Sequence, residues 1–210
     1  MLRWATIASL VALNLSIWYG PFESIRATTT AGDGTAQSTT TAELLAHEGN
    51  LDAALTAYRD AVSARPEDPT AHFEYALFCY MYADYLRDEA GWRMENIVLT
   101  VRDGFYRARR LAPDNFELAS QYALYLMDTE FFGQSVSRDQ TLEAWDHVIA
   151  LIQERHSDDP AWPFFTEHLS YALLQRARTE SRYGETANAE ATLAEVRKLS
   201  PEFRIPTHLE

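Results

Sequence analysis

The chain has a single cysteine, Cys79, which excludes an internal disulfide and any zinc cluster built from cysteines. Its six histidines are scattered, and none of them forms the i, i+4 pair or the H-E-x-x-H pattern of a helical zinc site. The sequence also lacks a G-x-S-x-G nucleophile motif, a phosphate-binding Walker loop and a dinucleotide-binding glycine run. We therefore expect a protein that is not an enzyme and that uses no cofactor or metal.

Basic residues are scarce, because 18 lysines and arginines stand against 31 aspartates and glutamates, for a formal net charge of -13. Of these charges, only Arg3, Glu23 and Arg26 lie within the first 26 residues. The rest of the chain therefore carries 16 basic and 30 acidic residues, a balance of -14. A body of this charge repels phosphate backbones, so nucleic acid is not an expected partner.

The N-terminal segment contains an apolar run from Trp4 to Tyr19, preceded by the positive Arg3 and ended by Gly20-Pro21. At about 16 residues, the run lies between the length of a signal-peptide core and that of a membrane-spanning helix. Aromatic residues at both ends favour a retained anchor. Residues 1–26 are predicted to be a signal peptide or membrane anchor. Either one places the rest of the chain on the non-cytoplasmic side of a membrane, which is the periplasmic side in a Gram-negative bacterium.

Three further regions follow this leader. Residues 27–40 are rich in Thr, Gly, Ala and Ser and contain no large apolar side chain, which predicts a flexible Thr-rich linker. Residues 41–201 show the apolar periodicity of a helical domain. Residues 202–210, with a proline at position 206, are predicted to form a C-terminal cap or tail.

A short motif recurs within the helical region, since Tyr-Ala-Leu stands at residues 75–77, 122–124 and 171–173. A longer pattern, G-x4-A-x3-Y-x2-A-x4-P, runs from Gly49 to Pro66, and its spacing returns from Gly184 to Pro201. Partial copies are formed by Val101, Phe105, Ala108 and Pro113, with Asn96 in place of the glycine, and by Ala144, Val148 and Leu151. The Tyr-Ala-Leu motif and the longer pattern recur in the same order along the chain, which indicates a repeated structural unit.

The residue types of this unit indicate a helix hairpin. Alanine allows two helices to cross closely, glycine or asparagine allows the chain to turn between them, and proline ends the unit. The spacing resembles that of the tetratricopeptide repeat family, over roughly residues 38–201. This resemblance implies an all-α fold, a right-handed superhelix of about four helix-turn-helix units. The prolines at 66, 113 and 160 are 47 residues apart, instead of about 34 in the family, so the units are expected to be extended.

The apolar periodicity places eight helices within these units. Asp68 followed by Pro69, and Asp139, are the predicted helix starts with the clearest capping signals. The predicted helices span about 41–47, 51–65, 69–88, 95–111, 115–131, 139–156, 161–182 and 186–199.

The resemblance also implies a concave groove lined by the first helix of each unit, which binds a protein or peptide. The apolar residues of this stripe, Leu77, Leu124 and Leu173, are interpreted as core between units. The predicted partner-binding groove consists of Phe73, Tyr80, Met81, Asp84, Gln121, Met127, Asp128, Arg176 and Glu180. The predicted function is that of a membrane-associated, non-cytoplasmic scaffold or assembly factor.

Two other classes of function stay open at this point. A self-associating structural component would use exposed tryptophans such as Trp92 or Trp162 for its homo-oligomeric contact. A small-molecule binder or enzyme would use the acidic residues of the groove, Asp84, Asp128 and Glu180, although no catalytic constellation accompanies them.

Overall fold

The structure, a computed structural model, describes residues 35–128 and 136–202. All regular secondary structure in these two stretches is α-helical, which confirms the predicted all-α fold. The helices are α1 (Thr35–His47), α2 (Leu51–Ala64), α3 (Pro69–Met81), α4 (Ala83–Asp88), α5 (Met94–Leu111), α6 (Phe116–Leu126), α7 (Arg138–Asp158), α8 (Phe165–Arg182) and α9 (Thr186–Leu199).

The predicted leader, residues 1–26, lies outside the described residues, as do positions 27–34 of the linker and 203–210 of the tail. Among the helices of residues 35–128 and 136–202, none has both the length and the apolar character that crossing a bilayer requires. Helix α1 begins at Thr35, so residues 35–40 are helical instead of forming the end of the predicted linker. Adding residues to an existing helical turn costs less than nucleating one, which allows this extension into a Thr-rich tract.

The chain divides into two compact units, of which the first ends at Ala64 and the second begins at Arg65. In the first unit, α1 and α2 pack against each other as a helix hairpin. Gly49 lies in the turn between them with φ +79°, a conformation that disfavours residues with a Cβ atom. The predicted role of Gly49 as the turn residue is therefore confirmed.

The second unit contains three successive helix hairpins. Helix α3 packs against α5, α6 against α7, and α8 against α9, while α5 also contacts α6 and α7 contacts α8. Each hairpin therefore lies against the next one along the chain. This order agrees with the helix-turn-helix units predicted from the repeated patterns.

Most of the small and apolar positions that the sequence repeats are buried, which explains why it repeats them. The alanines of the three Tyr-Ala-Leu motifs, Ala76, Ala123 and Ala172, are at most 1% exposed. The positions of the longer pattern are buried as well: Ala54, Tyr58, Ala61, Val101, Phe105, Ala108, Ala144, Val148, Leu151, Ala189, Leu193 and Val196. Residues at i, i+4 and i+7 share one helix face, so each second helix buries a single stripe against its neighbours.

Ala76 lies at the close crossing of α3 and α5, as the motif predicts. A Cβ atom added to Gly104 on α5 would lie 2.7 Å from the Cβ of Ala76 and 3.2 Å from the carbonyl oxygen of His72. Only small residues on both helices permit this approach. The sequence pattern identified Ala76, whereas Gly104 lies within a helix and carries no turn signal.

The helix predicted over residues 69–88 is interrupted at Tyr82, whose backbone angles of φ -110° and ψ 29° leave the helical region. The chain then continues as the short helix α4, on which Leu86 is fully buried. The extra residues of this unit therefore form a separate helical turn that packs against α5.

The predicted turn role of Asn96 is wrong, because this residue lies in the first turn of α5. Gly91 adopts the left-handed conformation of this turn instead, with φ +72°. Glycine takes up positive φ at lower cost than asparagine, and one is available five residues earlier. In the last hairpin, the predicted turn glycine Gly184 does have φ +79°.

The helix starts follow local capping chemistry. Asp68 caps α3 as predicted, since its side chain accepts a hydrogen bond from the backbone N–H of Thr70. The predicted cap Asp139 is wrong, because Ser137 and Gln140 form a reciprocal capping box that starts α7 earlier. Helix α8 begins at Phe165 instead of near residue 161. Pro163 explains this delay, since the residue before a proline is disfavoured in the helical conformation.

Candidate functional site

Four aromatic rings pack together between α3, α5 and α6. The ring of Phe105 stacks on Tyr125 at 3.8 Å between centroids, and the edge of Phe73 meets Phe105 at 5.5 Å. Tyr80 packs edge-on against Tyr125 at 4.6 Å. Such pairs contribute about 0.5–1.5 kcal/mol each beyond the area that they bury. The cluster fixes the position of Tyr80 at the end of α3.

Tyr80 connects α3 to the end of α6 through a hydrogen bond, in which its hydroxyl group donates to Oδ2 of Asp128. Burial raises the pKa of Tyr80 well above its ordinary value, and the hydrogen bond and charge of Asp128 raise it further. The phenol therefore keeps its proton and acts as the donor. Two residues of the predicted groove that lie 48 positions apart in the chain are thus in direct contact.

Met127 connects the same end of α6 to two later helices. Its backbone carbonyl accepts a hydrogen bond from the guanidinium of Arg182, at the end of α8. Its sulfur accepts a bond from Nε1 of the buried Trp145 on α7, at 3.3 Å. The two-residue segment Met127-Asp128 is therefore contacted from α3, α7 and α8.

We call the region around Met127-Asp128 the helix-end surface. It combines apolar side chains with charges of both signs. Met81 is 50% exposed, and Asp84 forms an ion pair with Arg87 at 2.8 Å. The helix-end surface consists of Tyr80, Met81, Asp84, Met127, Asp128 and Arg182. The sequence predicted all of these residues except Arg182, whose position depends on where α8 ends.

Arg176 and Glu180 belong to one polar network, in which Glu180 is buried, Arg176 is partly exposed and Asp146 is exposed. Glu180 is 1% exposed, and its carboxylate accepts hydrogen bonds from Arg176 and from the hydroxyl of Thr192 on α9. Arg176 also donates to Asp146 on α7 at 2.7 Å. The prediction that Glu180 faces a partner is wrong, because its charge is satisfied within the protein. The network ties α7, α8 and α9 together.

Phe73 and Gln121 also need correction as groove residues. Phe73 is 6% exposed and Gln121 is 5% exposed. Both lie on first helices, as predicted, but on the side that packs against neighbouring helices. Helical periodicity alone does not separate the edge of a buried stripe from the adjacent exposed one.

A second cluster of rings lies where α7 meets α8. His168 stacks on Trp162 with centroids 5.3 Å apart, and Arg155 lies 4.6 Å above the Trp162 ring. Trp162 is 8% exposed, so the prediction that it forms an exposed self-association contact is wrong. Trp92, the other tryptophan considered for this role, is only half-buried.

This cluster predicts a pH effect on stability. Burial, together with the charge of Arg155, lowers the pKa of His168 from 6.5 to about 4. Between these values the unfolded chain binds a proton that the folded chain does not, so the free energy of unfolding decreases as the pH falls. From pH 7 to pH 5 we expect a loss of about 1 kcal/mol attributable to His168, after discounting for its partial exposure.

Urea denaturation at several pH values measures this effect, with His168→Phe as the comparison because phenylalanine keeps a ring against Trp162. The variant is expected to lose less stability than the wild type over the same pH range. Equal pH dependence in the two proteins would contradict the assignment.

A metal-binding geometry receives no support from the residues that the structure describes. Within residues 35–128 and 136–202, no group of three or more His, Cys, Asp or Glu side chains is arranged to hold a metal ion. Cys79 is fully buried on α3, where it fills space as a small apolar side chain.

Comparison with known proteins assigns the class of this fold. Residues 38–78 match the family model of the tetratricopeptide repeat. The predicted resemblance to a tetratricopeptide repeat is therefore confirmed for these residues, and the helices that follow them form further successive hairpins. Helical-repeat folds of this kind present extended surfaces that bind other proteins.

One solved structure has a similar fold. The crystal structure of PilW, described as a widely conserved type IV pilus biogenesis factor, matches with a TM-score of 0.52 and 19% sequence identity. The match covers 82% of this chain and 65% of PilW, so the chain spans less than two thirds of that protein. At this identity the similarity shows the fold alone.

Two tetratricopeptide-repeat proteins are more distant in structure. A thermophilic protein from Thermus thermophilus matches with a TM-score of 0.43 and 17% identity, over 80% of this chain and 75% of that one. YrrB, described as having an unusual peptide-binding site, matches at 0.36 and 16%, over 88% of this chain and 94% of that one. No curated protein sequence matches the chain significantly.

Proposed function

We propose that this protein binds a protein or peptide partner at the helix-end surface and acts as a scaffold or assembly factor. The observation that carries this proposal is the convergence on Met127-Asp128, which Tyr80 contacts from α3 and Arg182 contacts from α8. Internal hydrogen bonds hold these residues in place before a partner arrives. Binding then requires little ordering of side chains, which favours affinity.

The chemistry of the helix-end surface indicates which partners it suits. Met81 is half-exposed and flexible, so it adapts to apolar side chains of different shape. The carboxylates of Asp84 and Asp128 lie in a body whose net charge attracts positive segments. A peptide with an apolar anchor and neighbouring basic residues fits this combination.

The proposed cellular setting is the non-cytoplasmic side of a membrane, with a role in assembling a larger structure. The apolar leader predicted over residues 1–26 supports the membrane association. The structural similarity to PilW, a type IV pilus biogenesis factor, supports assembly as the type of process. Pilus biogenesis is one such process.

The experiment is crosslinking of the full chain in intact membranes, followed by capture of the crosslinked partners. The double variant Met81→Ala/Arg182→Gln is expected to reduce recovery of the specific partner about tenfold or more, since it removes an apolar anchor and a charge-assisted donor. Arg176→Ala is unsuitable as a binding test, because Arg176 stabilises the fold.

The matched control is Leu44→Ala/Arg197→Gln, which shortens another exposed apolar residue and removes another exposed arginine. The control should recover the partner at the wild-type level. A partner that both double variants recover equally well would contradict binding at the helix-end surface. Circular dichroism of the purified variants checks that both are folded.

A further inference from the structure

Helix α5 carries an unusual concentration of positive charge for so acidic a protein. The stretch from 102 to 110 holds four of the 18 basic residues of the chain and a single carboxylate, Asp103. We define an arginine–tyrosine patch here. It consists of Arg102, Tyr106, Arg107, Arg109 and Arg110 on α5 and Tyr122 on α6. None of these residues belongs to the helix-end surface.

Tyrosine rings hold two of these arginines in place. The guanidinium of Arg109 lies 5.3 Å from the ring centroid of Tyr122, and that of Arg110 lies 5.9 Å from the centroid of Tyr106. Tyr106 is itself 48% exposed. A guanidinium that rests on an aromatic face keeps its N–H groups available at its edge, where they can donate to carboxylate oxygens.

Three of the four arginines of this patch form no ion pair with a residue that the structure describes. The fourth, Arg102, forms an ion pair with its neighbour Asp103 at 3.7 Å. Among residues 35–128 and 136–202, no carboxylate forms an ion pair with Arg107, Arg109 or Arg110. Their positive charge is therefore available to a partner.

The neighbouring helices contribute few charges that compete for this patch. Glu143 on α7 lies close enough to influence Tyr122, whose pKa is raised mainly by burial. Burial and the charge of Arg109 lower the pKa of His147, while Asp114 opposes that change. These groups border the patch on its α6–α7 side, while Tyr106, Arg107 and Arg110 are exposed to solvent.

We propose that the arginine–tyrosine patch is a second docking surface, which binds an acidic segment of a protein partner. Arginine forks bind carboxylates through two parallel hydrogen bonds, and tyrosines add apolar contact beside them. The patch offers both groups on one helix face, since residues 102, 106, 109 and 110 lie at helical spacing.

The overall charge favours an acidic protein segment over a lipid surface. A membrane is broad, so the body's charge of -14 faces the same anionic headgroups as the patch does. A single helix or extended segment is about 10 Å wide and contacts the patch alone. Such a segment does not face the whole acidic surface, and salt screens charges that lie more than about 8 Å from it.

The test uses the full chain and a fluorescein-labelled peptide of alternating glutamate and alanine residues, with fluorescence anisotropy as the measurement. Binding is expected to weaken about tenfold or more in Arg109→Gln/Arg110→Gln, because charge-assisted hydrogen bonds are lost. The double variant Arg93→Gln/Arg197→Gln removes the same charge from exposed arginines outside the patch, and it should bind like the wild type. A peptide with glutamine in place of glutamate should not bind.

Three outcomes would overturn this proposal. The first is no binding of the acidic peptide, and the second is equal weakening in both double variants. The third is binding to phosphatidylglycerol vesicles that depends on Arg109 and Arg110 while the peptide does not bind, which would assign the patch to lipid. None of these results affects the helix-end surface, since its test uses different residues.

Discussion

Replacing Arg176 by alanine is expected to lower the free energy of unfolding by about 3–5 kcal/mol. Its guanidinium donates hydrogen bonds to Glu180 and Thr192, and Glu180 is only 1% exposed. The substitution leaves a carboxylate in a site with almost no access to water and without its cation. Urea denaturation followed by tryptophan fluorescence measures the loss, since Trp145 and Trp162 are both buried.

Two further variants separate the buried charge from simple loss of side-chain volume. In Arg176→Ala/Glu180→Leu neither charge is present, so the double variant should be more stable than Arg176→Ala alone. Arg178→Ala truncates a half-buried arginine on the same helix that contacts Gln175 instead of a carboxylate, and it should cost clearly less. Equal losses in Arg176→Ala and Arg178→Ala would contradict the role of the network.

Substituting Gly104 by valine is expected to lower the free energy of unfolding by about 3 kcal/mol through overpacking. A Cβ atom at this position meets the Cβ of Ala76 at 2.7 Å and the carbonyl oxygen of His72 at 3.2 Å. Neither atom belongs to a flexible side chain, so α3 and α5 have to move apart. Thermal and urea denaturation of the purified protein measure the change.

The control is Asp103→Val, which places the same side chain one residue earlier, where Asp103 is exposed. We expect a change within about 0.5 kcal/mol there. Gly104→Ala is the sharper comparison, because alanine improves helix propensity by about 1 kcal/mol yet still meets Ala76. A stabilised Gly104→Ala protein would show that the two helices separate easily, contrary to the close crossing described above.

The sequence predicted the helical hairpins because their core positions are repeated at fixed spacing. Ala76, Ala123 and Ala172 recur in one motif, and each of them is buried as that motif requires. Turns that need a left-handed residue were predicted where glycine holds the pattern position, as at Gly49 and Gly184. The prediction for Asn96 was wrong because Gly91, outside the pattern, forms that turn.

The candidate site was less predictable, since helical spacing gives the direction of a side chain but not what lies opposite it. Tyr80 and Asp128 were predicted separately, and the structure shows that they form a hydrogen bond. Arg182 was missed, because its contact with the Met127 carbonyl depends on the position where α8 ends. Glu180 was misassigned, since a charged residue on a helix gave no sign of its buried partners.

By itself, the sequence determined the class of this protein: an acidic chain whose repeated small and apolar residues form helix hairpins. Each hairpin buries one stripe of small and apolar residues, and the spacing of those residues in the sequence is enough to predict which face is buried. The tertiary structure decided which polar residues neutralise one another inside and which remain at the surface. That distinction depends on contacts between residues far apart in the chain, as between Tyr80 and Asp128 or Arg176 and Asp146.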